Sequence, residues 1–279
     1  MSVTIELLTF CCARVAAMLF QRCGLPTSAK RRFLLFSPVL VILAIILLSH
    51  HAQRSARTVG IVRYCSGTAF AGIANLSEHN SLMYSQTHGY NLYKVDIDSF
   101  PLEPFVHPKS WVKVAYIYQL LSSSEDSKLD WVISIDCDAL FHDLHKSFED
   151  LLLELGGDTK AINIIAATDL GIAPFNAGVL FVRNTPWSIQ FLAKTLQRAS
   201  ENSTRYHGWW EQMAMMELFN QNANGEQDHI MITPTRSRIN AFAHLNDTVE
   251  NTYIWHRVMC HEQPKCDKIF LAKYAEIHG

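Results

Sequence analysis

The chain is poor in charge. Asp, Glu, Lys and Arg make up 18% of its 279 residues, against roughly a quarter in an ordinary soluble domain. The formal net charge is only −2, which gives no electrostatic footprint for a nucleic-acid binder. There is no Gly-rich phosphate loop of the P-loop or dinucleotide kind, so nucleotide binding through such a loop is excluded. There is no internal repeat and no low-complexity linker. What the chain has in excess is apolar residues, 49% of the total. Part of that excess is one uncharged run, Phe33 to Ser49.

That run is long enough to span a bilayer, at the short end of the range of about 17–25 residues. A cleaved signal is the rival reading, but its apolar core would be shorter and would begin near the N-terminus. Arg14, Arg22, Lys30, Arg31 and Arg32 precede the run and only Arg54 and Arg57 closely follow it, so the positive-inside rule favours a cytosolic N-terminus. The expected organisation is a cytosolic tail over 1–32, a signal-anchor over 33–49, a short stem over 50–57, and one lumenal domain over 58–279. A type II protein of the Golgi membrane follows, because a short span suits the thinner membranes early in the secretory route. Three N-glycosylation sequons agree, at Asn75, Asn202 and Asn246. Of the seven cysteines, Cys11, Cys12 and Cys23 precede the span, with Cys11 and Cys12 candidates for palmitoylation. Cys260 and Cys266 are close enough to form a lumenal disulfide, with two buried thiols as the alternative.

Beyond the stem, apolar β-rich runs alternate with helical patterns. Strands are expected at Val59 to Tyr64, Tyr90 to Val95, Trp131 to Ile135, Asn163 to Ala167 and Gly178 to Arg183. Helices are expected at Ser77 to His88, Trp111 to Leu121, Ser147 to Leu155, Trp187 to Arg198 and Trp210 to Phe219. This pattern predicts an α/β sheet with helices on both faces.

The sharpest chemical signal follows the third strand, where Asp136, Cys137 and Asp138 end a buried run. Ligands in open α/β sheets bind beyond the carboxyl ends of strands. In an extended tail, residues i and i+2 project to one side, so Asp136 and Asp138 address one ligand and Cys137 points away. Two carboxylates suit Mn2+ or Mg2+ held together with substrate phosphates, where the cation stabilises a diphosphate leaving group. The bland alternative is an acidic turn. A phosphatase with an Asp nucleophile is an enzymatic rival, although Ala139 stands where that class carries Thr or Val.

Several segments in order resemble glycosyltransferase family 34, the family of yeast and fungal α-mannosyl- and α-galactosyltransferases and plant xyloglucan xylosyltransferases. They are Asn80 with Tyr84 and His88 to Tyr90; His107 to Lys113; Trp131 to Phe141; Ala167 to Asp169; Phe175 to Ser188; Trp210 to Gln212; and Pro234 with Asn240. The resemblance implies a GT-A fold, Rossmann-like and nucleotide-sugar-binding, and a retaining transfer of a hexose or pentose from UDP-galactose, GDP-mannose or UDP-xylose to a glycan hydroxyl. It implies Gln212 and Asp169 at the reacting sugar, and Lys113, Asp136, Cys137 and Asp138 around the donor. Asn176, Gly178 and Glu211 would lie on the sugar and acceptor side. It also implies a late histidine as third metal ligand beside Asp136 and Asp138. His256 is the best match, with His278 a second candidate. Here Arg257 replaces an aromatic residue and Met259 replaces a glycine; Ser81 and Ser134 also depart from the pattern. These departures motivate an alternative, a non-catalytic scaffold subunit in a complex with other glycosyltransferases.

Overall fold

A computed structural model of the chain describes residues 57–65, 70–95, 110–123, 128–156, 161–260 and 263–279. The expected signal-anchor at 33–49, its flanks and Cys11, Cys12 and Cys23 lie outside these residues. Among the described residues no helix is long and apolar enough to cross a membrane.

In chain order the main elements are β1 (Val59–Tyr64), α1 (Ala74–His88), β2 (Asn91–Lys94), α2 (Trp111–Ser122), β3 (Trp131–Asp136), β4 (Ala139–Phe141), α3 (Phe148–Glu154), β5 (Ile164–Ala167), β6 (Asn176–Arg183), α4 (Pro186–Gln197), α5 (Trp210–Gln221), β7 (Ile230–Thr233), β8 (Ala241–Phe242), β9 (Ile254–His256) and α6 (Gln263–His278). Residues 57–279 form one compact unit. Six strands make a mixed, parallel-rich sheet in the order β2-β1-β3-β6-β5-β7. Only β6 runs antiparallel, against both β3 and β5.

Strands buried on both faces carry near-continuous apolar runs, and β1 and β3 do so. Their alternate residues divide between two cores. Val62 and Val132 enter one face with Trp111, Ile117 and Phe191. Ile61, Trp131 and Ile133 enter the other with Tyr84, Phe148 and Tyr253. The helices begin and end on local chemistry. Ser147 and Asp150 form a capping box at the start of α3. Thr185 caps α4 with Pro186 in its first turn. Gly89 closes α1 in the left-handed conformation at φ 70°.

A second sheet, β4-β9-β8, does the positioning that matters. Antiparallel pairing sets Ala139 opposite His256, and parallel pairing sets Phe242 beside His256. The sequence-level expectation omits this small sheet, β7 and α6. Strands of two or three residues carry too little periodicity to be read.

Candidate metal and sugar site

β3 ends at Asp136, and a two-residue turn leads through Cys137 and Asp138 into β4. The β4–β9 pairing carries His256 to Asp138 across 118 residues of chain, with Nε2 and Oδ1 3.2 Å apart. One ligand atom from each of Asp136, Asp138 and His256 lies within 4.8 Å of the others. This is the expected triad, with His256 as its histidine. His278 lies elsewhere, its Nε2 3.2 Å from Asn80 Nδ2 on α1.

The donor set fits a divalent cation, and the shell behind it fits too. Asn240 Oδ1 lies 3.0 Å from His256 Nδ1. That oxygen can only accept, so Nδ1 carries its proton and Nε2 presents its second position to the carboxylates. Burial disfavours a charged His256, but the Asp138 carboxylate outweighs it and holds the imidazole pKa above its ordinary value. Burial likewise works to raise Asp138, yet His256 holds that carboxyl below its usual range. A cation bound here would compete with a proton on His256 Nε2.

From Asn240 a continuous hydrogen-bonded chain leads to the expected sugar side. Asn240 Nδ2 donates to Asn176 Oδ1 at 3.0 Å. Gly178 N–H donates to the same oxygen at 3.0 Å. Asn176 Nδ2 donates to Asp169 Oδ2 at 3.2 Å, and Gln212 Nε2 donates to that oxygen at 2.9 Å. Gln212 Oε1 accepts the Ala177 N–H at 2.8 Å. The register of β5 against β6 slips between Ala166 and Ala167, just before Asp169. Such irregularities re-aim side chains at sites. Gly178 sits next to both halves of the site. A Cβ there would overlap His256 Cε1 and lie 3.0 Å from Asp136 Oδ2 and from Asn176 Oδ1. Only a glycine leaves that space.

Three of the expected residues are placed inside the protein's own contacts. Lys113, expected at the donor phosphates, is buried and uses its ammonium inside the protein. It donates to Asp136 Oδ1 at 2.8 Å and to Ala177 O at 3.0 Å, and pairs with Glu211 Oε1 at 3.2 Å. An ammonium has three N–H donors, so none remains for a phosphate. Burial opposes its charge, but Asp136 and Glu211 together hold its pKa above that of ordinary lysine. Burial raises the carboxyls of Asp136 and Glu211, with Lys113 acting against that rise. Glu211, expected on the acceptor side, is thus buried against Lys113, while its Oε2 makes no hydrogen bond among the described residues. Cys137, expected at the donor, is disulfide-bonded to Cys65, which leaves no thiol for a ligand.

Cys260 and Cys266 form the second disulfide. The departures around it are accommodated. Met259 takes up the left-handed angle that a glycine would adopt, φ 59°. Arg257 is buried, pairs with Asp267 at 3.2 Å, and lies 5.8 and 6.0 Å from the ring centres of Phe70 and Phe270. An open cavity of about 390 Å³ adjoins this segment, lined by His244, Arg257, Met259, Lys265 and Ile269. The sequon residues Asn75, Asn202 and Asn246 are all exposed. Neither Cys65 nor Asn240, which enters the sequence reading only beside Pro234 in the family resemblance, is read there as a site residue.

The fold is mixed α/β, and a candidate metal-binding triad of Asp136, Asp138 and His256 stands at the end of a sheet strand. The comparisons place the fold among known proteins. Residues 65–156 match the galactosyl transferase GMA12/MNN10 family. The match bears out the resemblance read from the sequence, and it supports glycosyl transfer as the general activity. The chain is similar in fold to a crystal structure of a glycosyltransferase involved in the glycosylation of the major capsid of PBCV-1. The TM-score is 0.60 at 16% identity, over 77% of this chain and 99% of that one. It also matches the glycosyltransferase GlyE of Streptococcus pneumoniae TIGR4 at 15% identity and TM-score 0.46, over 78% of this chain and 60% of that one. No curated protein matches the chain.

Proposed function

We propose that the protein is a metal-dependent, retaining glycosyltransferase of GT-A type, anchored in the Golgi membrane with its catalytic domain in the lumen. It would move a hexose or pentose from UDP-galactose, GDP-mannose or UDP-xylose to a glycan hydroxyl. The observation that carries this reading is the Asp136–Asp138–His256 triad joined by hydrogen bonds to Asp169 and Gln212. A divalent cation, Mn2+ or Mg2+, held by the triad would neutralise charge on the departing nucleoside diphosphate. Asp169 orients the Gln212 amide, whose oxygen keeps one lone pair after accepting from Ala177. That lone pair is available to a sugar centre gaining positive charge. Lys113 fixes Asp136 from behind and does not touch the donor. Asp169 is held by Asn176 and Gln212, and Glu211 is held through Oε1 by Lys113. A front-face transfer, with the leaving phosphate assisting deprotonation of the acceptor, agrees with that arrangement.

The test is Mn2+-dependent hydrolysis of UDP-galactose, GDP-mannose and UDP-xylose by the purified lumenal fragment. Turnover of one donor that is lost in Asp136→Ala supports the reading. Turnover unchanged by Asp136→Ala would remove the site assignment.

A further inference from the structure

Four large apolar side chains are exposed to different degrees in the two segments that the Asp169–Gln212 hydrogen bond joins. Ile172 is 89% exposed, in the turn that begins at Asp169. Tyr206, Trp209 and Trp210 are 65%, 39% and 40% exposed, in the segment that leads into α5 and Gln212. The two segments are held together by Gln212 Nε2 on Asp169 Oδ2. Trp209 is locked in place: its N–H donates to His207 Nδ1 at 3.1 Å, its ring meets the His207 ring edge-on at 5.4 Å, and its carbonyl accepts Met213 N–H at 3.2 Å. Trp210 sits at φ 39°, a left-handed angle that a bulky aromatic residue adopts only against strain. Two adjacent tryptophans thus keep 39% and 40% of their surface in water, one of them at a left-handed φ, in the segment that carries Gln212.

Resting on the glycosyltransferase reading, we infer that Tyr206, Trp209 and Trp210, together with Ile172, form the subsite that holds the acceptor, and that it takes the pyranose rings of a glycan. The chemistry is specific. A pyranose presents an apolar C–H face that a flat ring covers, while its equatorial hydroxyls stay in water or meet the indole N–H and the phenol. The rings of Tyr206, Trp209 and Trp210 offer apolar faces suited to the C–H face of a sugar, and the Arg205 guanidinium lies 5.7 Å from the Tyr206 ring centre. Its position accounts for its use: a sugar stacked there has its hydroxyls next to the Asp169–Gln212 pair, where transfer is proposed.

The test uses saturation-transfer NMR with two probes, mannotriose and cellopentaose, on the lumenal fragment. Transfer to ring protons of at least one probe is expected in the parent protein. It should fall at least tenfold in Trp209→Ala and in Trp210→Asn, and persist in Trp209→Phe. Asn tolerates the left-handed angle, so Trp210→Asn relieves backbone strain that offsets part of the apolar burial it removes. Mn2+ titration reports whether each variant keeps its triad. A variant that binds Mn2+ but no longer binds sugar supports the subsite. Undiminished saturation transfer in Trp210→Asn overturns it. So does the absence of transfer to either probe in a protein that hydrolyses a donor, which leaves the transferase reading standing. Dissociation of a dimer by Trp210→Asn, with sugar binding unchanged, would assign the ledge to a second copy of the chain instead.

Discussion

Asn240 is buried with no solvent exposure and bonds to two site residues, at His256 Nδ1 and at Asn176 Oδ1. Replacing it with alanine removes both hydrogen bonds, each worth about 1 kcal/mol net. It also leaves the Nδ1–H of a buried histidine without a partner, a cost of about 1–3 kcal/mol. The apo protein should therefore lose about 3 kcal/mol. For a folded unit of this size that is a fall of about 6–12 °C in Tm. The imidazole would also be free to rotate or change tautomer, and loss of such an outer partner weakens metal binding by about 10–100-fold. Asn240→Asp keeps an acceptor for Nδ1 but loses the donor to Asn176, so it should retain more metal affinity than alanine. Calorimetric titration with Mn2+, paired with thermal melts, measures both effects. A Tm drop with Mn2+ affinity unchanged in Asn240→Ala would refute the claim that this residue orients the metal-binding histidine.

Gly178→Ala should abolish Mn2+ binding and destabilise the fold by about 1–3 kcal/mol, because the new methyl overlaps the His256 ring and crowds Asp136; a melt and a titration suffice. Metal affinity should fall as pH drops through the raised His256 pKa, by up to about tenfold per unit, since the cation displaces one proton; a pH-independent affinity between about 5 and 8 would contradict the proton on that nitrogen. In the metal-free protein the His256–Asp138 pair has its own pH window. The raised His256 pKa makes its contribution full below about pH 6.5 and lost as pH rises through the folded value. The lowered Asp138 pKa makes its contribution full above about pH 4 and lost as pH falls through the folded value, so apo stability from this pair peaks between the two. Cys65→Ser should lower Mn2+ affinity as well as stability, because it frees the turn between two ligands; an unchanged titration would limit the disulfide to stability alone.

The long elements were legible because their patterns are long. β1 and β3 are six-residue buried runs, and α2, α4 and α5 each carry about three turns of apolar spacing. The carboxylate pair was legible because it ends such a run. The geometry around it was not, since β4, β8 and β9 span only two or three residues and are defined by pairing between distant segments. That pairing is what delivers His256 and Asn240. Lys113 shows a different limit. In sequence a lysine at a helix start looks solvated, and only the burial of Glu211 and Asp136 around it reveals a cation held inside. Met259 shows a third. A methionine in place of glycine suggests a changed backbone, but the surrounding disulfide and the buried Arg257 keep the backbone where a glycine would put it, at the cost of strain.

The two disulfides bear on where such a site can work. Cys137 stands between Asp136 and Asp138 and is tied to Cys65, one residue past the end of β1. Cys260 follows His256 by four residues and is tied to Cys266 at the start of α6. Each of the two segments that supply metal ligands is therefore closed by its own covalent bond. In the chain-entropy picture, closing a loop of 72 residues restricts the unfolded chain by about 4 kcal/mol, and closing one of six by about 2 kcal/mol. Both bonds require an oxidising compartment. If the bonds hold the ligands in place, reduction of the disulfides weakens metal binding. Residues 57–279 alone should bind Mn2+ when oxidised and bind it more weakly after reduction.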